Sequence, residues 1–573
     1  MKKSISFKQL VLVLITALSI GLISTGCSKD DEEIGAVPSV TLNVNSASNT
    51  PGSTVSTELT IAAPEGLKKL NIYKNGVAEN SVSFNNEKTA TYNFSYTIEA
   101  ALAVGTIVNF TFEAVDSRDR ESEIKVFQIT VSAVPAKEIV EVPEGDITGS
   151  VTWTADKIWR LNGFVRIQDG GQVTIEPGTV VFGSRATKGT LVVQRGGKLI
   201  AEGTAAEPIV FTSERDPGSR EPGDWGGVVL CGRAVNNQGA DVELEGGYGG
   251  IHGGNNDNDN SGILKFVRIE YAGTPINPNQ EVNSLTMGSV GSATTIENIQ
   301  CSYGLDDSFE WFGGKVNGKY LVAYRGLDDD FDVDFGHGGF VQFALAIRGA
   351  TLADQSGSNG FEVDNDGAGS SLTPFTESVF SNVTVIGPKK SKETAIQAQF
   401  QNAAQLRRNC KLSIYNSFMT AFPNGLFIDD SKPGASQNAL DGSHQIRNMI
   451  LAGVDGWGTN NWGANATNGF GPLKQVDASV APGFEVNAWY ATGDFNNQTL
   501  STWNAAGIDP SIFDTGTPKV TPNAGSPLLT AARWNNTPKA GSFFEQVSYS
   551  GAFGATDWTE GWCNWNPQTT EYR

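Results

Sequence analysis

Val165-Arg166-Ile167-Gln168-Asp169-Gly170-Gly171-Gln172-Val173-Thr174-Ile175-Glu176 is followed, at an offset of 26, by Leu191-Val192-Val193-Gln194-Arg195-Gly196-Gly197-Lys198-Leu199-Ile200-Ala201-Glu202. Gln168 falls on Gln194, the two Gly-Gly pairs coincide, and Glu176 falls on Glu202. On each side of the glycines, apolar and polar residues alternate, which is the period of a strand with one buried face. A repeat of roughly 20–30 residues, built from such strands and glycine corners, marks a β-solenoid. One turn cannot bury its own inner face, so turns must stack.

Further rungs follow at Leu264 to Tyr271, Thr295 to Tyr303, Tyr320 to Tyr324, Val383 to Ile386, Leu412 to Asn416 and Ile446 to Leu451. Composition agrees. Glycine is 66 of 573 residues, about 12%, against a usual ~7%, and charged residues are 18% against a usual ~25%. Such a chain is neither a helical bundle nor a coiled coil. Hydrophobic residues at 39% supply a large core and argue against global disorder. The formal charge of −21 argues against nucleic acid as a partner, because phosphate binding needs clustered Lys and Arg.

The stretches Gly189-Thr190-Leu191-Val192-Val193, Gly203-Thr204 and Pro208-Ile209-Val210-Phe211-Thr212-Ser213 resemble right-handed parallel β-helix proteins, the pectate-lyase-like solenoids. Asn523-Ala524-Gly525-Ser526-Pro527-Leu528 is similar to the closing-coil motif of that group. The resemblance covers residues 145–530 and implies the fold rather than an activity, since this fold hosts lyases, hydrolases, adhesins and inert scaffolds.

Ahead of the repeat, residues 38–134 read as about seven short alternating strands with turns such as Lys74-Asn75-Gly76, the pattern of an immunoglobulin-like sandwich. Residues 135–144 read as a linker and residues 531–573 as a Trp-rich C-terminal cap. The expected fold class is therefore mostly β: an immunoglobulin-like sandwich, then a right-handed parallel β-helix with a C-terminal capping region.

At the start, Lys2, Lys3 and Lys8 precede an apolar run from Leu10 to Ile23 and then Ser24-Thr25-Gly26-Cys27. A basic start, a short apolar stretch and small residues describe a secretory signal over residues 1–26. Cysteine directly after the small residues resembles the lipobox of bacterial lipoproteins, with Ser24 where that family prefers Leu. That resemblance implies lipidation at Cys27. The acidic tether of residues 27–37, with Asp30-Asp31-Glu32-Glu33, is similar to the export tag of surface lipoproteins in the Bacteroidetes group. It implies a lipid anchor in the outer membrane, facing the cell exterior.

One region aligns with itself a second time. Gly304-Leu305-Asp306-Asp307-Ser308-Phe309-Glu310-Trp311 recurs 22 residues later as Gly326-Leu327-Asp328-Asp329-Asp330-Phe331-Asp332-Val333-Asp334. A third copy, with its Phe another 30 residues on, reads Gly360-Phe361-Glu362-Val363-Asp364. Alternation along a strand stacks Phe309, Phe331 and Phe361 inward and Glu310, Asp332 and Glu362 outward, joined by Asp334 and Asp364. Three readings follow: a solvated acidic face, a calcium site made of these five carboxylates, or a catalytic site. Oxygen-only ligands without a His/Cys cluster favour a hard cation over zinc. For the catalytic reading, Asp328-Asp329, Gly336-His337-Gly338-Gly339 and Ile347-Arg348 are similar to the motifs of the pectin-cleaving polygalacturonases. That resemblance implies Asp328 and Asp329 as the carboxyl pair, His337 as their partner and Arg348 as a contact for substrate carboxylate. His337 follows Asp329 by only eight residues, closer than in that family, and no Lys follows in the Arg-x-Lys position.

Eight of the 12 tryptophans lie beyond residue 450. Trp457, Trp462, Trp489 and Trp503 are candidate platforms for sugar rings, and the alternative is that the tryptophans pack a cap over the open end of the solenoid. Cys231, Cys301, Cys410 and Cys563 are far apart and show no CxxC spacing, so single buried thiols are expected. The resulting expectation is a surface lipoprotein that binds glycan, or an outer-membrane protein partner, in nutrient uptake or adhesion. The alternative is a polysaccharide-cleaving hydrolase or lyase that uses the acidic ladder.

Overall fold

The computed structural model describes residues 35–133, 135–277, 280–453, 471–476 and 480–573. Cys27, the leader and most of the tether lie outside the described residues. The chain divides into two compact units, Met1–Ala136 and Lys137–Arg573.

The first unit is a sandwich. Thr54–Lys74 pairs antiparallel with Ser39–Leu42, Val77–Thr97 and Ile107–Asp116, and Ile107–Asp116 pairs antiparallel with Lys125–Val131. A register shift between Ala62 and Leu67 splits the two long strands between layers. Phe94 of one layer packs against Phe110, Phe112 and Phe127 of the other, with ring centroids 4.6, 5.1 and 6.3 Å apart. The alternation along Thr54–Lys74 is literal: Val55, Leu59, Ile61, Leu70 and Ile72 are buried.

The second unit is a parallel β-helix. Among the described residues it holds a 17-stranded and an 11-stranded sheet, and every pairing within them is parallel. The sequence offsets are the rung offsets. Ile167 pairs with Val193 and Gln172 with Lys198 at 26; Phe309 pairs with Phe331 at 22, and Phe331 with Phe361 at 30. In the 11-stranded sheet one inner column runs Ile167, Val193, Leu230, Met287, Trp311, Val333, Val363, Leu406 and Ile428, all essentially without solvent. Each such side chain contributes roughly 1.5–3 kcal/mol by leaving water. Cys231, Cys301 and Cys410 are buried free thiols, and Cys563 is also free.

The solenoid starts earlier than the linker reading has it. Glu138–Val142, inside residues 135–144, pairs parallel with Lys157–Leu161. Pro135 and Pro143 flank a largely β-branched Glu-Ile-Val-Glu-Val, which favours a strand, and Val142 is buried in the core. Stacked Trp153 and Trp159, 5.7 Å apart, lie in this first coil.

In the long sheet the strands bend at one column. Phe266, Asn298, Tyr320, Phe343, Asn382, Asn416 and Asn448 stack in register, and each has a left-handed φ between 49° and 61°. Asparagine tolerates this conformation because its short amide bonds locally. The Asn382 amide donates to Tyr549 O at 2.8 Å, and its Oδ1 accepts from Gln342 at 3.0 Å. Asn382→Ala should therefore cost about 2 kcal/mol, from backbone strain and unmade buried bonds. A shift of the urea midpoint measures it.

The Trp-rich tail does not cap an end. From Asn448 onward in space it runs back along the outer face of the 17-stranded sheet, against the direction of the coils. Arg533 bonds Asn416 and Asn448 at 3.0 and 2.8 Å, Glu545 exchanges two 2.8 Å bonds with Gln342, and Asn564 exchanges two with Gln300 at 2.8 and 2.9 Å. Arg220 then donates to Pro567 O and Thr570 O, and Tyr572 donates to Glu270 at 2.8 Å. The cause is apolar. Val322, Tyr324, Leu345, Ile347, Ile386 and Phe418 face outward from the sheet, and Phe553, Trp562 and Trp565 bury them. The C-terminal end of the inner core is closed instead by Phe484, Val486, Trp489 and Tyr490 around the short helix Val486–Tyr490.

Candidate functional site

Three strands of the 11-stranded sheet build the ladder: Phe309–Gly314, Phe331–Asp334 and Phe361–Val363. Their Phe residues stack inward, with Phe309 and Phe331 5.8 Å apart and Phe331 and Phe361 5.0 Å apart. With those faces fixed, Glu310, Asp332 and Glu362 pair rung to rung on the outer face. The Gly-Leu-Asp-Asp turns ahead of two of the strands add Asp306, Asp307, Asp328 and Asp329. Carboxylate oxygens come within 4.8 Å of one another in three sets: Asp306–Asp307–Asp328, Asp307–Glu310–Asp332, and Asp329–Asp332–Glu362. Asp307 and Asp332 each belong to two sets, so the sets interlock.

The cluster is sunk rather than solvated. Asp307, Glu310 and Asp329 are 6%, 6% and 4% exposed. Burial pushes the carboxyls of Asp307, Glu310 and Asp332 well above the ordinary range, and their acidic neighbours add to it: Asp306 at Asp307, Asp332 at Glu310, and Asp329 at Asp332. Asp334, one outer position further along its strand, is pushed up to about 7 by burial. Burial pushes Asp306 well above the ordinary range too, and the charges of Glu245 and Glu281 raise it further. Two unit charges about 5 Å apart repel by roughly 3 kcal/mol at an effective dielectric near 20. The cluster therefore demands protons or cations.

Two cationic side chains meet it at the Glu362 end. Arg407 bonds Glu362 and, at 2.8 Å, Asp364; Arg408 bonds Asp364 at 2.6 Å. At the other end Asn283, 2% exposed, donates through Nδ2 to Glu310, and its Oδ1 has no protein partner. Carboxylates together with an unpartnered amide oxygen on a residue that touches Glu310 are oxygen-only donors, the kind a hard cation such as calcium takes.

Of the metal-ligating residues expected from sequence, Glu310, Asp332 and Glu362 belong to the interlocking sets. Asp334 flanks them, and Asp364 is engaged by two guanidinium groups. Asp328 and Asp329 also belong to the sets, where Asp328 accepts from Ser356 at 2.8 Å and the Asp329 amide donates to Asp307 at 2.8 Å. His337 and Arg348 do not join them. Phe335 and Gly336, both with left-handed φ, fold the chain inward, so His337 is 0% exposed and stacks on Trp311 at 5.7 Å. Its ring nitrogens bond Ser378 Oγ at 2.7 Å and Val316 O at 3.2 Å. Arg348 and Asp330 form an ion pair at 2.9 Å with both side chains sealed from solvent. Neither His337 nor Arg348 touches a surface that a substrate reaches.

Trp489 and Trp503 are likewise buried, with Nε1 donated to Ala439 O and Lys390 O, so neither offers a sugar platform. Trp457 and Trp462 lie outside the described residues. Sequence reasoning missed Asp306 and Asp307 as ligands, although they are the first copy of the Asp328-Asp329 pair. It also missed Asn283, Arg407 and Arg408, which lie on neighbouring rungs that carry no repeat signal.

Residues 145–508 match the pectate-lyase like beta helix domain family. No curated protein matches the chain. Among solved structures, the fibronectin(III)-like modules of Clostridium thermocellum CbhA are 16% identical over 18% of this chain and 49% of that one, with a TM-score of 0.14. The chain thus spans about half the length of that structure. The PKD domain of an M14-like peptidase from Thermoplasmatales archaeon SCGC AB-540-F20 is 18% identical over 17% of this chain and 94% of that one, with a TM-score of 0.13. Pectate lyase PelI from Erwinia chrysanthemi, in complex with tetragalacturonic acid, is 9% identical over 70% of this chain and 87% of that one, with a TM-score of 0.11.

Proposed function

The chain belongs to the pectate-lyase-like β-helix family over residues 145–508, and we propose that it is a polysaccharide-binding protein whose carboxylate ladder works as a calcium site. The interlocking carboxylate sets carry this reading: seven buried or half-buried carboxylates on one face, with Asn283, whose Oδ1 is unpartnered, bonded to Glu310 through its Nδ2. Asp307, Glu310, Asp332 and Asn283 would hold one ion, and Asp329, Asp332 and Glu362 a second. A cation bound there leaves coordination positions for sugar hydroxyls or carboxylates. The lipid anchor at Cys27 and an outer-membrane position facing the exterior belong to the same proposal, and the leader motif supports them. The sandwich then serves as a spacer. Binding is favoured over cleavage because His337 and Arg348, which the hydrolytic alternative needs beside Asp328 and Asp329, are enclosed.

Titration calorimetry with calcium should show saturable binding, and Asp332→Asn should weaken it by about tenfold or more, because that carboxylate serves two sets. Immobilised protein should then retain acidic glycan in calcium and release it in EDTA. Cleavage of a polysaccharide that disappears in Asp329→Asn would replace binding with catalysis. An absence of calcium binding would leave the ladder a proton-holding structural face.

A further inference from the structure

The C-terminal tail, a strap laid along the outer face of the 17-stranded sheet, leaves a cavity where it first meets the solenoid. It measures about 310 Å³ and is lined by Arg447, Trp534, Asn535, Asn536, Thr537 and Pro538. That is near the lower end for small-molecule sites, roughly 300–1,000 Å³, and suits one sugar ring rather than a chain. It lies on the 17-stranded sheet, whereas the carboxylate ladder lies on the other sheet.

Its walls are fixed in advance. Trp534 donates Nε1 to Val547 O at 2.8 Å, and its carbonyl accepts from Thr537 Oγ1 at 2.9 Å. Asn536 is tied to Asn448 at 2.9 Å and to Asp494 O at 2.8 Å, so its amide is spent on scaffolding. The guanidinium of Arg447 lies over the ring of Phe495 at 4.3 Å, and its Nε donates to Gln445 Oε1 at 3.2 Å. Gln445 is in turn held by Tyr415 Oη at 2.9 Å. Among the described residues no carboxylate pairs with Arg447. In a chain of net charge −21, a guanidinium oriented by stacking and a side-chain amide, with its two terminal nitrogens unspent, is an acceptor for negative charge from outside. The indole beside it is a flat apolar surface of the kind that suits a pyranose, and Asn535 is exposed at the rim.

We propose that this cavity binds an anionic pyranose, with the ring against Trp534, its carboxylate or sulfate on the terminal nitrogens of Arg447, and ring hydroxyls in reach of Asn535. The site needs no cation, which separates it from the ladder. Pre-orientation of the guanidinium and the indole lowers the ordering cost that weakens most single-sugar contacts.

The test uses the full chain in EDTA, with calorimetry against a glucuronate-containing tetrasaccharide, its carboxyl methyl ester and a 6-sulfated neutral analogue. The acid, the sulfate or both should bind, and the ester should be about tenfold weaker or worse, as expected for loss of a charge-assisted bidentate contact. Which of the two anions binds identifies the charged group. Arg447→Gln should remove the discrimination, and Asn535→Ala, at an exposed position that cannot unfold the chain, should weaken binding by a few-fold. In EDTA the ladder holds no calcium, so loss of calcium-dependent retention and loss of this site are separate results. Equal binding of acid and ester, or full discrimination in Arg447→Gln, would overturn the proposal.

Discussion

In buffer free of divalent cations, the thermal midpoint of this protein falls as the pH rises from about 5 to about 8, and calcium restores it at the upper end. In the unfolded chain the ladder carboxyls are ordinary and lose their protons near pH 4. In the folded chain burial and mutual repulsion hold Asp307, Glu310 and Asp332 in the protonated form well above that, and Asp334 to about 7. The native state therefore binds more protons than the unfolded state across this window. The stabilisation is complete below the unfolded values and is lost as the pH climbs through the folded ones. A displacement such as that of Asp334, from 3.8 to about 7, corresponds to about 4 kcal/mol before solvent screening reduces it. With several coupled groups the midpoint should drop by several degrees. Calcium binds the deprotonated ligands, so its stabilising effect should be large at pH 8 and small at pH 5. Calorimetry at both pH values, with EDTA and with calcium, measures this. Glu310→Gln should flatten the EDTA profile. A profile in EDTA that is level or rises with pH would mean that the carboxyls are already ionised and hydrated, and the ladder would then be an ordinary acidic surface.

Arg348→Ala should destabilise the fold by about 3–5 kcal/mol, with no direct effect on ligand binding. The guanidinium donates to Asp330 at 2.9 Å and to Leu327 O at 2.8 Å, and it lies over Phe400 at 5.4 Å. Removing it leaves a carboxyl in a place without water. Burial already pushes Asp330 up to about 7, with Arg348 opposing the shift. The double variant Arg348→Met with Asp330→Asn removes both charges and should recover part of the loss. Denaturant unfolding of the three proteins separates the cases. If Arg348→Ala keeps full stability but loses ligand, the residue faces the outside and its enclosure is wrong.

These two residues show where the sequence is readable and where it is not. The solenoid was legible because rung-to-rung stacking forces one side-chain period on every coil. The offset of Gln168 to Gln194 and that of Phe309 to Phe331 are both rung offsets in space, as the pairings of Ile167 with Val193 and of Phe309 with Phe331 show. The ladder was legible for the same reason: an inward Phe column dictates an outward carboxylate column. His337 and Arg348 sit at corners, where alternation stops. Two consecutive left-handed residues send His337 inward, and no periodic signal announces that. The tryptophans mislead differently. Their number is a fact of composition, but what they cover depends on the outer face of the long sheet. Phe418, Ile347 and Leu345 look like ordinary inner strand residues until the register assigns their direction.

The strap also imposes an order in time. Arg573 bonds Asp216 across 357 positions of sequence, Arg220 bonds Thr570 across 350, and Glu270 bonds Tyr572 across 302. Coils can zip onto one another as the chain emerges, each needing only its predecessor. The outer layer cannot. Asp216, Arg220 and Glu270 find these partners only 302–357 positions further on, so the long sheet stays bare until those residues have been made. Contacts of such high sequence separation form slowly, and exposed apolar sheet is what chains aggregate through. The seam between coils and outer layer is thus closed by packing between distant parts of one chain, not by neighbouring coils.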